Sequence, residues 1–357
     1  MSMKNDSKVC LIYTGGTIGM HRDADGVLRP PENPDSFLQI APELEEIAKF
    51  DFFPLMNKDS TNMNPSDWMD IAREIYCRRN DKYIGFVIAH GTDTMHYSSS
   101  AVSFALGANI NFPVVFTGAQ TAPDVRYGDA RVNLLRAFRI ACTEIAEVVI
   151  CFDDSVLRGC RAQKKDERRF DAFESPAFFP LAYITEDILV NNAVAYTRER
   201  KNVGEIIFQN EFATGIVQVS LIPGLEPELL EYLLDMENCN GVVLQSYGAG
   251  NVPNQGPYSW TRFIEKATAR GKPVLITSQF PANATLHTAY APGRDAVAAG
   301  AIPTGNMTSA CASAKFRWVL PQVEKMGLES TKRLEEIKRM MNTPYVGELD
   351  IVGNKTT

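Results

Sequence analysis

Phe86-Val87-Ile88-Ala89-His90-Gly91-Thr92-Asp93-Thr94 is the stretch on which the fold turns. Four apolar or small residues lead into His-Gly, and three short oxygen-bearing side chains follow. Beyond them Ser98, Ser99, Ala101, Val102, Phe104, Ala105 and Leu106 read as a helix packed on a sheet. A buried strand that breaks at glycine and turns into a helix leaves backbone N–H groups without intrahelical partners at the helix start. In open α/β sheets that carboxyl edge is where ligands sit, and its N–H groups favour anionic oxygen. Asp93 does not fit anion binding. Its carboxylate suits a ligand ammonium, beside hydroxyls able to act as nucleophiles. Thr and Asp are also ordinary helix caps, and this segment alone leaves that reading open.

Toward the N-terminus, Lys8-Val-Cys-Leu-Ile-Tyr13 is a second short strand, and Thr14-Gly15-Gly16-Thr17-Ile18-Gly19 follows it. Again a strand runs into a glycine turn that carries threonines. Two such edges in one domain can face the same crevice and bring two threonine hydroxyls to one aspartate. No Gly-x-Gly-x-x-Gly follows an early strand, which argues against a dinucleotide fold. A Gly-x-Ser-x-Gly elbow is absent as well, so threonine is the more credible nucleophile.

The 357 residues are enough for one large or two medium domains with a substantial core. Apolar residues at 45% and charged residues at 22% are ordinary for a soluble globular chain. A net charge of −7 argues against a nucleic-acid partner, which would need a clustered basic surface. No run of about 18 apolar residues suggests a membrane span, and Met1 to Lys8 lacks the apolar centre of a signal peptide. Seven cysteines at 10, 77, 142, 151, 160, 239 and 311 form no Cys-x-x-Cys pair, and Cys10 and Cys151 fall in apolar strand runs. A reducing cytoplasm is the expected compartment, in which the sequons at Asn5, Asn283, Asn306 and Asn354 carry no meaning. The four histidines (21, 90, 96 and 287) make no grouping with metal-ligand spacing, so neither metal nor cofactor is implied.

Residues 21–33 are polar and rich in Gly and Pro, either a plain surface loop or a lid over the first Gly-Gly-Thr turn. Asp59-Ser60-Thr61-Asn62 reads as turn chemistry, for which Asp, Ser and Asn are favoured. Asn64-Pro65 opens a helix whose buried face is Trp68, Ile71, Ala72 and Ile75. Strands follow at Pro113–Thr117 and Glu147–Phe152, with Asp129 as the expected cap of a helix burying Leu134, Phe138, Ala141 and Ile145. This alternation implies a mainly parallel sheet covered on both faces. Arg161 to Arg169 is a charge run with the composition of a solvated surface. The division expected is an N-terminal α/β domain at 1–190, a linker at 191–212, and a smaller C-terminal α/β domain at 213–357. In the last of these, Gly215–Leu221, Gly241–Leu244 and Pro273–Thr277 read as strands. Helices are expected at Pro227–Met236, Ser259–Arg270, Ser309–Leu320 and Thr331–Met341.

Thr14-Gly-Gly-Thr-Ile-Gly19 and His90-Gly-Thr-Asp-Thr94 together resemble the L-asparaginase family, most closely its type I, cytoplasmic bacterial branch. Supporting matches are Asp59-Ser60-Thr61-Asn62-Met63, Thr117-Gly-Ala-Gln120, Gly128-Asp129 with Asn133-Leu134, Arg158-Gly159 with Lys164, and Ser246-Tyr-Gly-Ala-Gly-Asn251. They run in family order from residue 8 to about 320. The resemblance implies hydrolysis of L-asparagine to L-aspartate and ammonia by a homotetramer, a dimer of dimers, with a left-handed crossover in the N-terminal domain. It implies Thr17 as nucleophile, with Thr92, Asp93 and Lys164 as its catalytic companions. It also implies that Asp59, Ser60, Thr61, Thr92, Asp93, Ala119 and, from a neighbouring protomer, Asn251 bind the substrate.

Two departures from the family pattern stand out. Val27 occupies the place of the tyrosine that the family's lid supplies to the nucleophile. Gln163, Gln245 and Phe280 stand where a second, regulatory asparagine site has Thr, Arg and Cys, so activation through such a pocket is not expected. Two rival readings share the motifs. One is the related component of a transfer-RNA-dependent amidotransferase, which carries an additional N-terminal domain and a partner, whereas this chain starts at its first catalytic strand. The other is a catalytically silent amino-acid sensor, against which Thr17, Thr92, Asp93 and Lys164 together argue.

Overall fold

A computed structural model describes residues 8–23, 25–200, 204–280 and 290–350. The polar segment before Lys8, the sequons at Asn5, Asn283 and Asn354, and His287 lie outside the described residues. The chain divides into two compact units, Met1–Asn210 and Glu211–Thr357.

In the first unit the strands are β1 (Lys8–Tyr13), β2 (Lys49–Pro54), β3 (Tyr83–Ala89), β4 (Val114–Thr117), β5 (Val148–Phe152), β6 (Ser155–Arg158), β7 (Ala182–Ile184) and β8 (Ile188–Val190). They form one sheet in the order β8-β7-β6-β5-β4-β3-β1-β2. The five from β2 to β5 in that order run parallel, and β6, β7 and β8 are antiparallel to their neighbours. Parallel central strands are covered on both faces, which is why β1 and β3 read as unbroken apolar runs. Val9 to Tyr13 and Phe86 to Ala89 are at most 1% exposed. On one face Val9, Leu11, Val87 and Val115 pack with Leu134, Ala137 and Phe138.

The helix Pro65–Arg78 starts as its sequence dictates. Asn64 Oδ1 accepts the Ser66 N–H, Asp67 Oδ2 accepts the Asn64 N–H, and Trp68, Ile71, Ala72 and Ile75 are buried. Met95–Leu106 is buried nearly all round, so its serines bond backbone instead of water. Ser99 Oγ donates to the Gly159 carbonyl at 3.0 Å and Ser103 Oγ to the Ser99 carbonyl at 2.7 Å. The expected α/β architecture with a mainly parallel sheet is therefore present.

The second unit holds β9 (Ile216–Ser220), β10 (Gly241–Ser246), β11 (Val274–Ser278) and β12 (Ile302–Pro303), a parallel sheet in chain order. Its core gathers Trp260, Phe263, Ile264, Val242, Leu244 and Ile276. One element differs from the sequence reading: Pro227–Asp235 is a nine-residue 3₁₀ helix, not an α-helix. Pro227, Leu233 and Leu234 are buried, Leu230 packs partly buried against the same core, and Leu229 is left exposed.

Among the described residues no helix is long and apolar enough to cross a membrane. All seven cysteines are free thiols; Cys10 and Cys151 are fully buried, and burial pushes the Cys151 thiol up to about 12.

Candidate active site

β1 lies between β2 and β3, so the chain leaves β1 on one side and returns on the other. Loops that part at such a reversal open a crevice at the carboxyl edge of the sheet. The register sets Tyr13 beside Ala89, and the Thr14 N–H and hydroxyl both donate to the Ala89 carbonyl, at 2.9 and 3.0 Å. Just beyond, glycines let the turns touch. A Cβ on Gly16, whose φ is +82°, would stand 2.5 Å from the Gly91 nitrogen. One on Gly91 would stand 2.7 Å from Ser60 Cβ. Only glycine fits at either place. Thr17 and Thr92, each the residue after one of these glycines, are thereby brought to one edge.

The Asp59–Asn62 turn docks on the same edge. Ser60 is buried, its Oγ accepts the Asp93 N–H at 3.2 Å, and its carbonyl accepts the Thr94 hydroxyl at 2.7 Å. Asp59 Oδ1 accepts both the Thr61 N–H and the Thr61 hydroxyl at 2.9 Å, and these bonds hold its carboxyl below the usual range. Ala119, 5% exposed, belongs to the loop after β4, where a Cβ on Gly118 would stand 3.3 Å from Thr92 Cγ2.

Lys164 arrives from outside the main sheet. A two-residue ladder, Gln163–Lys164 against Phe173–Glu174, carries it in. Its Nζ donates to Thr92 Oγ1 at 2.8 Å and to Asp93 Oδ1 at 2.6 Å. The lysine side chain is 14% exposed while the aspartate is 53% exposed, so the aspartate faces outward where a ligand would meet it. The charge run is thus not uniformly solvated: Arg161 is buried, its guanidinium 4.8 Å from the Phe178 ring centroid.

The two threonine hydroxyls differ. Thr92 Oγ1 accepts from Lys164 and donates to Gln120 Oε1 at 3.2 Å. Thr17 is half-buried, and no group among the described residues hydrogen-bonds its hydroxyl. Val27 is exposed on the hairpin His21–Arg22/Leu28–Arg29, and the Arg22 guanidinium pairs with the Asp124 carboxylate. Asn251 lies in the second unit, where its N–H and carbonyl close a tight loop on Tyr247.

Asp129 departs from its expected role. It stands at the helix N-cap, but its side chain makes no capping bond. It turns back on the preceding loop and accepts the Gln120 N–H at 2.8 Å, the Thr121 N–H at 3.1 Å and the Thr121 hydroxyl at 3.0 Å. Sequence reading also passed over Gln120 as a site residue. It stood inside a matched motif, but a sequence does not tell which atom a glutamine faces.

His90, fully buried beneath Thr92, donates Nδ1–H to the Gly91 carbonyl at 2.6 Å. Desolvation pushes its ring down to about 4 and holds it neutral. His96 is held near 4 by the same cause, with the Lys164 ammonium adding to it. An unfolded histidine takes its proton near 6.5, so between about 6.5 and 4 the unfolded chain binds more protons than the folded one. The neutral-histidine contribution is intact above pH 6.5 and declines as the pH falls toward 4, by about 1.4 kcal/mol per pH unit for His90. Urea melts between pH 7 and 4.5 should show a steepening loss of stability. His90→Gln should flatten that slope by about this amount; an unchanged slope would place the acid sensitivity elsewhere.

Hydroxyls at a reversal in strand order, one fixed by a half-buried ammonium and one with no hydrogen bond among the described residues, suit a hydrolase of amide bonds. Comparison with known proteins agrees. Residues 8–196 match the family described as Asparaginase, N-terminal, and residues 216–341 the Glutaminase/Asparaginase C-terminal domain. The chain belongs to the asparaginase family. An L-asparaginase of Thermococcus kodakarensis is 34% identical over 344 residues, 96% of this chain and 99% of that one. One component of the glutamyl-tRNA(Gln) amidotransferase of Methanosphaera stadtmanae is 33% identical over 348 residues, 95% of this chain and 76% of that one. The solved structure of the thermostable L-asparaginase from T. kodakarensis superimposes with a TM-score of 0.86 at 33% identity, over 96% of this chain and 99% of that one. L-asparaginase I from Vibrio cholerae does so at 0.82 and 31%, over 97% and 100%.

Proposed function

We propose that the protein hydrolyses L-asparagine to L-aspartate and ammonia through an acyl-enzyme on Thr17. The observation that carries this is the pairing of Lys164 Nζ with Thr92 Oγ1 and Asp93 Oδ1, at an edge that Thr17 shares with its own hydroxyl unengaged by the described residues. In the first half-reaction Thr17 Oγ1 attacks the side-chain amide carbon, the C–N bond breaks, and ammonia departs with the hydroxyl proton. In the second, water attacks the ester, the C–Oγ1 bond breaks, and a proton returns to Thr17. The Thr92 N–H stabilises the oxyanion, and the Thr92 hydroxyl, backed by Lys164, orients the water. Asp93 takes the substrate ammonium, and the Asp59, Ser60 and Thr61 turn, with Ala119, sets the distance to the amide. Asparagine and glutamine differ by one methylene, worth about 1–3 kcal/mol of discrimination.

Ammonia release from asparagine by the purified chain alone tests the reading. A second reading, an amidotransferase component acting with a partner, draws support from the 33% identity to the M. stadtmanae protein. No release from either asparagine or glutamine without a partner would favour that second reading.

Assembly belongs to the same proposal: a cytoplasmic homotetramer in which Asn251 completes the site of a neighbouring protomer. Activity per chain should then fall with the tetramer fraction in a dilution series followed by sedimentation. A fully active monomer would rule the shared site out.

A further inference from the structure

We infer that Gln120 is a positioning residue, holding the Thr92 hydroxyl proton away from Lys164 so that Thr92 turns its lone pairs toward the ammonium and the substrate edge. This rests on the reading of Thr92 as part of an amide-hydrolysing site. The orientation of the Gln120 amide is decided by its surroundings. Its Nε2 lies 3.3 Å from two backbone carbonyl oxygens, those of Asp166 and Arg169. Carbonyls only accept, so the NH₂ end must face them and Oε1 must face Thr92. Oε1 has no hydrogen, hence Thr92 donates to it, at 3.2 Å. The backbone N–H of Gln120 is itself fixed on Asp129 Oδ2 at 2.8 Å. Gln120 thus ties together the helix that starts at Asp129, the Thr92 hydroxyl and the loop of the hairpin that carries Lys164.

The arrangement has a chemical consequence. While Lys164 is an ammonium it donates to Thr92 Oγ1, so the Thr92 O–H needs a different acceptor. Gln120 Oε1 is that acceptor. Without it, the O–H finds an acceptor at Nζ only when the lysine has lost its proton. Gln120 therefore favours the state in which Lys164 is charged and Thr92 retains its proton for later transfer. The other titratable groups around Lys164 are Asp93 at 2.6 Å, His96 on the helix behind it, and, on its own hairpin, Lys165, Asp166, Glu167, Arg168, Arg169, Asp171 and Glu174. Gln120 touches only the backbone carbonyls of Asp166 and Arg169 in this group, so a change there that acted through the loop would persist without the Thr92 hydroxyl.

The test follows the Lys164 Cε resonance through a pH titration of unliganded ¹³C-lysine protein, which requires no substrate. Gln120→Met should move the Lys164 midpoint to lower pH, and Gln120→Glu, which keeps an acceptor and adds charge, should move it higher. In a Thr92→Val background Gln120→Met should have no effect, because the hydroxyl that relays it is gone. A midpoint unmoved by Gln120→Met, or a shift that persists with Thr92→Val, overturns the inference. Gln120→Asn, which withdraws the amide by one methylene, answers the same question should Gln120→Met not fold. With asparagine as substrate, Gln120→Met should lower kcat about tenfold and change KM less than about twofold. An inactive wild-type chain with the midpoint shifts intact would sink the proposed activity and leave the positioning role. An active wild type with an unmoved midpoint would do the reverse.

Discussion

Thr17→Ala is expected to form no acyl-enzyme and to lower kcat by at least about 10,000-fold, with the fold intact. The fold should survive because no described group depends on the Thr17 hydroxyl and the side chain is only half-buried, so the stability change should stay within about 0.5 kcal/mol. Thr92 is placed differently. Its oxygen accepts from Lys164 and its proton is directed to Gln120, so both ends of the hydroxyl are held by the protein, as the proposed role in orienting water requires. Thr92→Val should therefore impair both half-reactions, the second more, and let ester accumulate. Mass spectrometry of quenched enzyme reads the difference: the adduct is expected on the peptide containing Thr17. An adduct on Thr92 in the wild type would exchange the two roles. Val27 makes the experiment informative, since the tyrosine the resemblance leads one to expect is not in that position to help Thr17.

What could be read in the sequence follows from the range of the interactions concerned. The two strand edges were legible because unbroken apolar runs ending at glycine reflect local backbone requirements, and those requirements hold at Gly16 and Gly91. The start of the 65–78 helix was legible for the same reason, as Asn64 and Asp67 cap each other across three residues. Asp129 was misread because an aspartate before a helix has two sets of nearby N–H groups to choose from, and the loop at Gln120–Thr121 takes it. Gln120 and Lys164 meet the same hydroxyl from segments 44 residues apart in sequence numbering, and no local pattern records that meeting. The 3₁₀ stretch Pro227–Asp235 was lost to a choice between periods of three and 3.6, which nine residues barely separate.

The C-terminal helices held a further surprise of this long-range kind. Lys315→Met is expected to lower the stability of the second unit by about 3–5 kcal/mol. In the helix Ser309–Glu324, Lys315 is wholly buried and donates to the Met341 carbonyl at 2.8 Å, the Thr343 carbonyl at 2.7 Å and Glu348 Oε1 at 2.6 Å. Glu348, equally buried, also accepts the Tyr345 and Val346 N–H groups. One ammonium thus satisfies carbonyls at and beyond the end of the helix Ser330–Met341 and fixes the loop that follows. Removing it strands a carboxylate and two carbonyls away from water, whereas Lys315→Met with Glu348→Gln removes the charge and keeps an acceptor for the two N–H groups. The double variant should therefore recover a good part of the loss. Two of the three tryptophans, Trp260 and Trp318, lie in this unit, and Trp318 is 5.0 Å from the Tyr345 ring, so tryptophan fluorescence in urea reports the loop directly. A single-variant loss under about 1 kcal/mol, or a double variant as weak as the single, would mean that water reaches the pair and that the C-terminal loop is held by its apolar contacts instead.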